Sequence, residues 1–197
     1  YDDEVDFIVD ELKIDTIKIN SSDVNELGFI KHCAGKGVNI QLDTGNADIW
    51  EIERAIITAE ENGCSNIIIH HCPSGYPARL ESVYLKMITT LKQLFPSCAI
   101  AFSDHSPGWD MDIAAVALGA DMIEKTITLD KTIKSCEHSF SLESQEAKDF
   151  VDSIREVETA LGGYRRTIPS EIKMKRKATR RSPYALRPME SGEIVKS

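Results

Sequence analysis

The sequence predicts an α/β fold built on a parallel sheet, and three observations carry that prediction. Five short apolar segments alternate with five amphipathic ones. Each apolar segment is rich in Ile, Val or Ala, as strands buried on both faces are. Polar loops recur at the C-terminal end of every apolar segment, where a β/α barrel builds its active site. A doubly wound open sheet is the alternative, but no Gly-rich dinucleotide loop follows any strand. A closed TIM (β/α)8 barrel has eight strands and typically ~250 residues. With 197 residues, opening on Tyr1 rather than Met, the chain reads as a leading helix and about the last five β/α units of such a barrel.

In order, residues 2–12 have the pattern of an amphipathic helix with an acidic first turn. Ile14 to Ile19 reads as a strand and Val24 to Ala34 as a helix, closed by Gly35 and Gly37. Val38 to Asp43 is a strand, and Ile49 to Glu61 a helix with Gly63 just beyond. Asn66 to Cys72 is a strand, followed by a helix from Leu80 to Phe95 that Pro96 stops. Cys98 to Phe102 is a strand delivering Ser103, Asp104 and His105 at its end. A helix over Asp112 to Leu118 and a strand over Met122 to Leu129 follow. The last helix, Ser144 to Leu161, has an apolar stripe of Phe150, Val151, Ile154, Val157 and Leu161.

After Gly163 the pattern changes. Tyr164 to Thr179 reads as basic and irregular, and residues 180–195 as a short strand, a turn and the start of another strand. The expected division is therefore 1–163 barrel, 164–181 linker and 182–197 the start of a second domain.

Composition narrows the class. The chain is 42% hydrophobic and 28% charged, as soluble globular proteins are. No apolar run approaches the ~20 residues that span a bilayer, and no signal peptide opens the chain, so no membrane association is expected. Five cysteines without a CxxC pair fit reduced thiols in the cytoplasm better than disulfides or a zinc site. The net charge of −9 conceals an asymmetry: residues 165–197 hold 10 Lys/Arg against 3 Asp/Glu, and residues 1–164 hold 13 against 29. The basic stretch lacks aromatic interleaving and any nucleic-acid motif, so it reads as a linker rather than a nucleic-acid site.

The strand ends carry the chemistry. A lysine (Lys18) and hydroxyls (Ser21, Thr44, Ser74, Ser103) suit a phosphate or carboxylate anion. A histidine (His105) beside acids (Asp43, Glu124) suits a divalent metal or proton transfer.

Several runs resemble the sialic acid synthase family. They are His71-Cys72-Pro73-Ser74-Gly75-Tyr76-Pro77, Phe102-Ser103-Asp104-His105-Ser106 with Gly108, Ala114 to Ala120 followed by Ile123-Glu124-Lys125, and Glu137-His138-Ser139 with Ser141-Leu142. Ile17-Lys18-Ile19, Thr44-Gly45 and Leu129-Asp130 add to them in unbroken order. The resemblance implies a transferase that condenses phosphoenolpyruvate with an N-acylated amino sugar of the mannosamine type. The product is a nine-carbon 2-keto sugar acid, released with phosphate. It also implies a divalent ion, Mn²⁺ or Mg²⁺, acting as Lewis acid on the sugar aldehyde, a homodimer, and an antifreeze-like (SAF) domain beginning in the tail. Carried over by position, Lys18, Ser21, Ser74 and Ser103 become phosphoenolpyruvate ligands, and Asp43 occupies a further substrate position. Tyr76 becomes a sugar-side contact and His105 a metal ligand. His105, Glu124 and Glu137 are the expected catalytic groups.

Three departures bear on that reading. Thr126 stands where the family has its second metal histidine, and a hydroxyl is a poor replacement for imidazole on a transition metal. Asp43 stands where the family usually has Ser, and a carboxylate there repels an anionic substrate. Cys136-Glu137-His138 replaces Pro-Asp-His, one methylene longer at the acid. These changes make another nonulosonate, of legionaminate or pseudaminate type, or a catalytically weakened homologue that binds sugar or anion, the alternatives to a sialic acid synthase.

Overall fold

The computed structural model describes residues 1–194. It divides into two compact units, the first Tyr1–Leu161 and the second beginning at Gly162. The first unit opens with α1 (Asp2–Asp6), continued by a π-helical turn over Phe7–Glu11. Strands β1 (Thr16–Ile19), β2 (Asn39–Asp43), β3 (Ile67–His71), β4 (Ala99–Asp104) and β5 (Met122–Lys125) then alternate with helices. These are α2 (Leu27–Gly35), α3 (Ile49–Glu61), α4 (Lys86–Leu94), α5 (Asp110–Ala117) and α6 (Ser144–Leu161). The strands form one parallel sheet in the order β1-β2-β3-β4-β5.

The two-residue side-chain period of a strand gives each strand an outer face toward the helices and an inner face that carries most of the polar strand residues. Ile17, Ile19, Ile40, Leu42, Ile67, Ile69, Ile100 and Phe102 are buried and pack with Ile30, Cys33, Ile52, Ala55, Ile56, Ile88 and Leu91 of the helices. This layer between sheet and helices is the core. The opposite register positions include Lys18, Gln41, Asp43, His70, Ser103 and Glu124, with Ile68, Ala101 and Met122 among them.

The sheet is curled. In a flat sheet, β1 and β5 would stand about 19 Å apart, at about 4.8 Å per strand. Yet Lys18 Nζ of β1 lies 2.6 Å from both carboxylate oxygens of Glu124 on β5. Strands at opposite edges meet through side chains only when the sheet bends toward closure, as barrel strands do. This is the five-strand arc expected from the β/α alternation.

Local differences have local causes. The helix expected from Leu80 is a single 3₁₀ turn, Leu80–Ser82, and α4 starts only at Lys86. Between them Tyr84 takes a left-handed φ of 45°, which no continuing helix accommodates. The segment from Val24 turns helical only at Leu27, and Val24 itself is buried. β5 stops at Lys125, after which the Leu142 backbone N–H donates to Thr126 O at 2.9 Å and Thr128 N–H donates to Leu142 O at 2.9 Å. α3 matches the expected span, its start closed by the Glu51 carboxylate accepting from the Asp48 backbone N–H at 2.8 Å. α6 also matches, but its apolar stripe is only half covered, with Val151 47% and Leu161 50% exposed.

In the second unit the structure departs from the expected irregular linker. Ser170–Thr179 is a helix, α7, entered through Pro169. Residues 182–194 contain no strand, so the strand–turn–strand reading is corrected there, and Val195 lies outside the described residues. All five cysteines are unpaired. No helix among the described residues is long and apolar enough to cross a membrane.

Candidate active site

Strand register assembles the first cluster. Ser103 pairs with Glu124 across β4 and β5, Asp43 with His70 across β2 and β3, and Lys18 with Gln41 across β1 and β2. On the concave face these become one network. Lys18 Nζ donates to Glu124 at 2.6 Å and sits 3.1 Å from Asp43 Oδ2. Ser103 Oγ donates to Glu124 Oε1 at 2.9 Å. His70 Nδ1 stands 3.6 Å from Glu124 Oε2 and 4.0 Å from Asp43 Oδ1, while His70 Nε2 is 2.8 Å from Gln41 Oε1.

The electrostatics follow from that geometry. Burial works to lower Lys18, but its bond to Glu124 and the charge of Asp43 outweigh it and hold the ammonium above its usual range. Burial works to raise Glu124, and the bond from Lys18 overrides it, keeping the carboxyl below its ordinary value. Burial, with Lys18 nearby, pushes His70 below the imidazole range. At neutral pH the cluster is two carboxylates, one ammonium and a neutral imidazole, a net charge of −1. The repulsion that Asp43 would impose on an anion is thus partly cancelled by its pairing with Lys18.

A second group forms where the β3 and β4 loops meet. The Ala78 backbone N–H donates to His105 O at 2.9 Å, tying the two loops together. That bond accompanies the stacking of the Tyr76 ring on His105, with centroids 4.4 Å apart and planes 29° apart, and Phe140 stands beside both rings, 6.4 Å from His105 and 6.5 Å from Tyr76. Tyr76 remains 56% exposed, so a broad aromatic face is open to solvent. At the β2 end Gly45 approaches the next loop closely: a Cβ there would stand 3.0 Å from Cys72 O.

Beneath the outer face lies a third, buried cluster. Lys125 Nζ donates to Asp104 Oδ2 and, at 2.8 Å, to Ser106 O; it is also 3.1 Å from Asp112 Oδ2 on α5. Ser106 Oγ donates to Asp104 Oδ2 at 2.8 Å. Two carboxylates share one ammonium here, and burial with the Asp104 charge pushes Asp112 up to about 7.

The expected site residues therefore divide. Lys18, Asp43, Ser103 and Glu124 come together; Tyr76 and His105 form the adjoining aromatic pair. Ser74 is turned to the β2 loop, donating to Gly45 O at 2.7 Å. Ser21 lines a separate crevice with Asn25, Asn46 and Glu51. Glu137 is exposed in the loop after β5, where its backbone carbonyl, not its carboxylate, accepts from Phe140 and Ser141. The sequence reading missed Gln41 and His70, whose signal was polarity inside otherwise apolar strands. It also missed the Asp104–Lys125–Asp112 cluster.

The expected Mn²⁺ or Mg²⁺ can be tested against the donors present. His105 Nδ1 and Thr126 Oγ1 are buried without hydrogen-bond partners, but they amount to one imidazole and one neutral hydroxyl. Among the described residues no three His, Cys, Asp or Glu side chains form a group that holds a metal. The cation shared by Asp43 and Glu124 is Lys18. The described residues of this chain therefore do not fit a divalent ion by themselves.

Comparison with known proteins places this geometry. The profile of the NeuB family matches residues 1–166. An uncharacterised protein of Methanocaldococcus jannaschii is 40% identical over 95% of this chain and 56% of its own length. The N,N'-diacetyllegionaminic acid synthase of Campylobacter jejuni is 37% identical, with the same shares of 95% and 56%. The human N-acetylneuraminate-9-phosphate synthase is 35% identical over 82% of this chain and 45% of its own. Among solved structures, the Bacillus subtilis spore coat polysaccharide biosynthesis protein SpsE superposes with a TM-score of 0.78 at 34% identity, over 86% of this chain and 48% of that one. The chain spans about half the length of the curated relatives it matches.

Proposed function

Because this chain belongs to the NeuB family, we propose that it forms the substrate-binding arc of a synthase joining phosphoenolpyruvate to an N-acylated amino sugar. The observation that carries the reading is the convergence of Lys18, Ser103 and Glu124 at the mouth of a curled sheet. The sugar is of the mannosamine type, and the product is a nine-carbon 2-keto sugar acid with phosphate. Relatives named for legionaminic acid and for N-acetylneuraminate 9-phosphate support the nonulosonate class without choosing within it.

In this reading Lys18 and Ser103 supply the donors for the phosphoenolpyruvate anion, as a charge-assisted pair. Both now bond Glu124, so the anion takes over their hydrogens and leaves the carboxylate free. Ionised by Lys18 in the free site, that carboxylate is the group proposed to accept the proton of the water that adds at C2. The bond from C3 of phosphoenolpyruvate to the aldehyde carbon forms as the aldehyde C=O opens to a hydroxyl, its proton coming from the water whose hydroxyl adds at C2; that C2 hydroxyl then becomes the ketone as phosphate leaves by C–O cleavage, carrying the second proton. Tyr76, stacked on His105, offers the apolar face on which a sugar ring rests. Ser21 and Ser74, which in the free site line another crevice and bond Gly45 O, turn to the anion side when substrate binds, Glu137 serves the sugar side from its loop, and the functional unit is a homodimer in the cytoplasm.

The test is phosphate release from phosphoenolpyruvate with a panel of N-acyl hexosamines and several divalent ions. Release that depends on one sugar supports the synthase and names its substrate. Sugar binding without release under any condition supports the weakened homologue, the reading that Thr126 and Asp43, paired with the Lys18 ammonium, favour.

A further inference from the structure

We propose that His70 is a positioning residue of the anion site: when a phosphate- or carboxylate-bearing substrate binds the Lys18 ammonium, one proton from solvent is taken up at His70 Nδ1. The inference rests on Lys18 being the anion ligand proposed above.

His70 is fully buried, and its ring is oriented from behind. With Gln41 Oε1 accepting at 2.8 Å, Nε2 carries the hydrogen of the neutral ring. Nδ1 is then a bare lone pair facing Glu124 Oε2 at 3.6 Å and Asp43 Oδ1 at 4.0 Å. Neither Nδ1 nor Asp43 Oδ1 has a hydrogen-bond partner, although both atoms are buried. Electron-rich atoms meeting without a hydrogen between them are costly. In the free site the offset comes from Lys18, which contacts both carboxylates.

An anion that takes Lys18 as its counter-ion removes that offset. The carboxylates are left facing each other and the lone pair, and the local charge becomes more negative. A proton on Nδ1 restores the balance, because the imidazolium becomes a donor to Glu124 or Asp43 and replaces the ammonium. The ring has room for that proton, since burial and Lys18 keep it neutral beforehand. The other groups facing it are accounted for: Lys18 from β1, Gln41 and Asp43 from β2, Ser103 from β4 through its bond to Glu124, and Glu124 from β5. Cys72, two residues on, is pushed up to about 11 by burial and stays a neutral thiol. Only a proton moves: an O–H or N–H bond of the buffer acid breaks and the Nδ1–H bond forms.

The experiment is calorimetric titration with phosphoenolpyruvate near pH ~6.5, the ordinary imidazole range, in two buffers of different protonation enthalpy. Uptake approaching one proton per phosphoenolpyruvate is expected, with Kd weakening up to about tenfold per pH unit as the pH rises. His70→Gln keeps a donor toward Gln41 but cannot titrate, so it is expected to bind with uptake lost and a flat Kd. Uptake that persists in His70→Gln puts the proton on the ligand and overturns the proposal. Binding without uptake in the wild type overturns it while leaving the anion site intact. Absent binding, or equal binding by wild type and Lys18→Met, overturns the anion reading and this inference with it. Should His70→Gln fail to fold, the imidazole ¹⁵N shifts of the wild type decide: Nδ1 must change from acceptor to N–H on addition of phosphoenolpyruvate, and an unchanged signal overturns the proposal.

Discussion

Replacing Asp43 with Ser removes one of the two carboxylates that hold Lys18, and tighter phosphoenolpyruvate binding is the expected result. Asp43 Oδ2 lies 3.1 Å from the ammonium, so an anion seated on the far side of Nζ stands about 6 Å from the Asp43 charge. At that distance a pair of like unit charges repels by about 0.7 kcal/mol in bulk water and about 2.8 kcal/mol at an effective dielectric of about 20. The Asp43 side chain is 14% exposed but Glu124 is 41% exposed, so an intermediate figure of about 1.4 kcal/mol is appropriate. That corresponds to about tenfold in Kd. Calorimetric or fluorescence titration of wild type and Asp43→Ser at low ionic strength measures it directly. The gap should narrow as salt is added, because the cluster is partly open to screening. Equal or weaker binding by the variant at low salt refutes the charge argument and makes Asp43 a support for Lys18 instead.

Other outcomes follow from the same geometry. Asp112, raised to about 7, binds a proton in the native state that the unfolded chain has lost. Its contribution is therefore complete below the unfolded pKa and disappears as pH rises through about 7. The unfolding free energy from urea titrations should fall over that window with a slope of at most about 1.4 kcal/mol per pH unit, and Asp112→Asn should flatten the profile. Gly45→Ala drives a methyl to 3.0 Å from Cys72 O; overpacking of this kind costs about 1–3 kcal/mol, read as a lower midpoint in the same assay. Tyr76→Phe retains the stack on His105 and should keep sugar affinity within about threefold, whereas Tyr76→Ala loses about 1 kcal/mol or more of ring contact. Competition binding with N-acetylmannosamine separates the two.

Much of the architecture was legible because it depends on local pattern. Ile49–Glu61 and Ser144–Leu161 announce themselves by a 3.6-residue period, and the five strands by short apolar runs between turn residues. α7 was not legible: Ser170–Thr179 has no apolar stripe, only the good intrinsic propensity of Lys, Arg and Ala after a helix-starting Pro169. The site was legible in part. Residues just past a strand end, such as Ser103 and His105, stand out by position. Gln41 and His70 sit inside strands, and a polar residue in an apolar run looks the same whether it faces a core or a concave mouth.

The sequence by itself determined the β/α alternation, the family motifs and the identity of the charged groups, because each is a property of residues close together in the chain. Only the tertiary structure decided which charges meet. Lys18 and Glu124 are 106 positions apart and belong to opposite edges of the sheet, and it is the curl of that sheet that turns an expected anion ligand into half of an ion pair. The same curl buries His70 against two carboxylates. Electrostatic interaction falls with distance through space, and distance through space is what the linear chain does not carry.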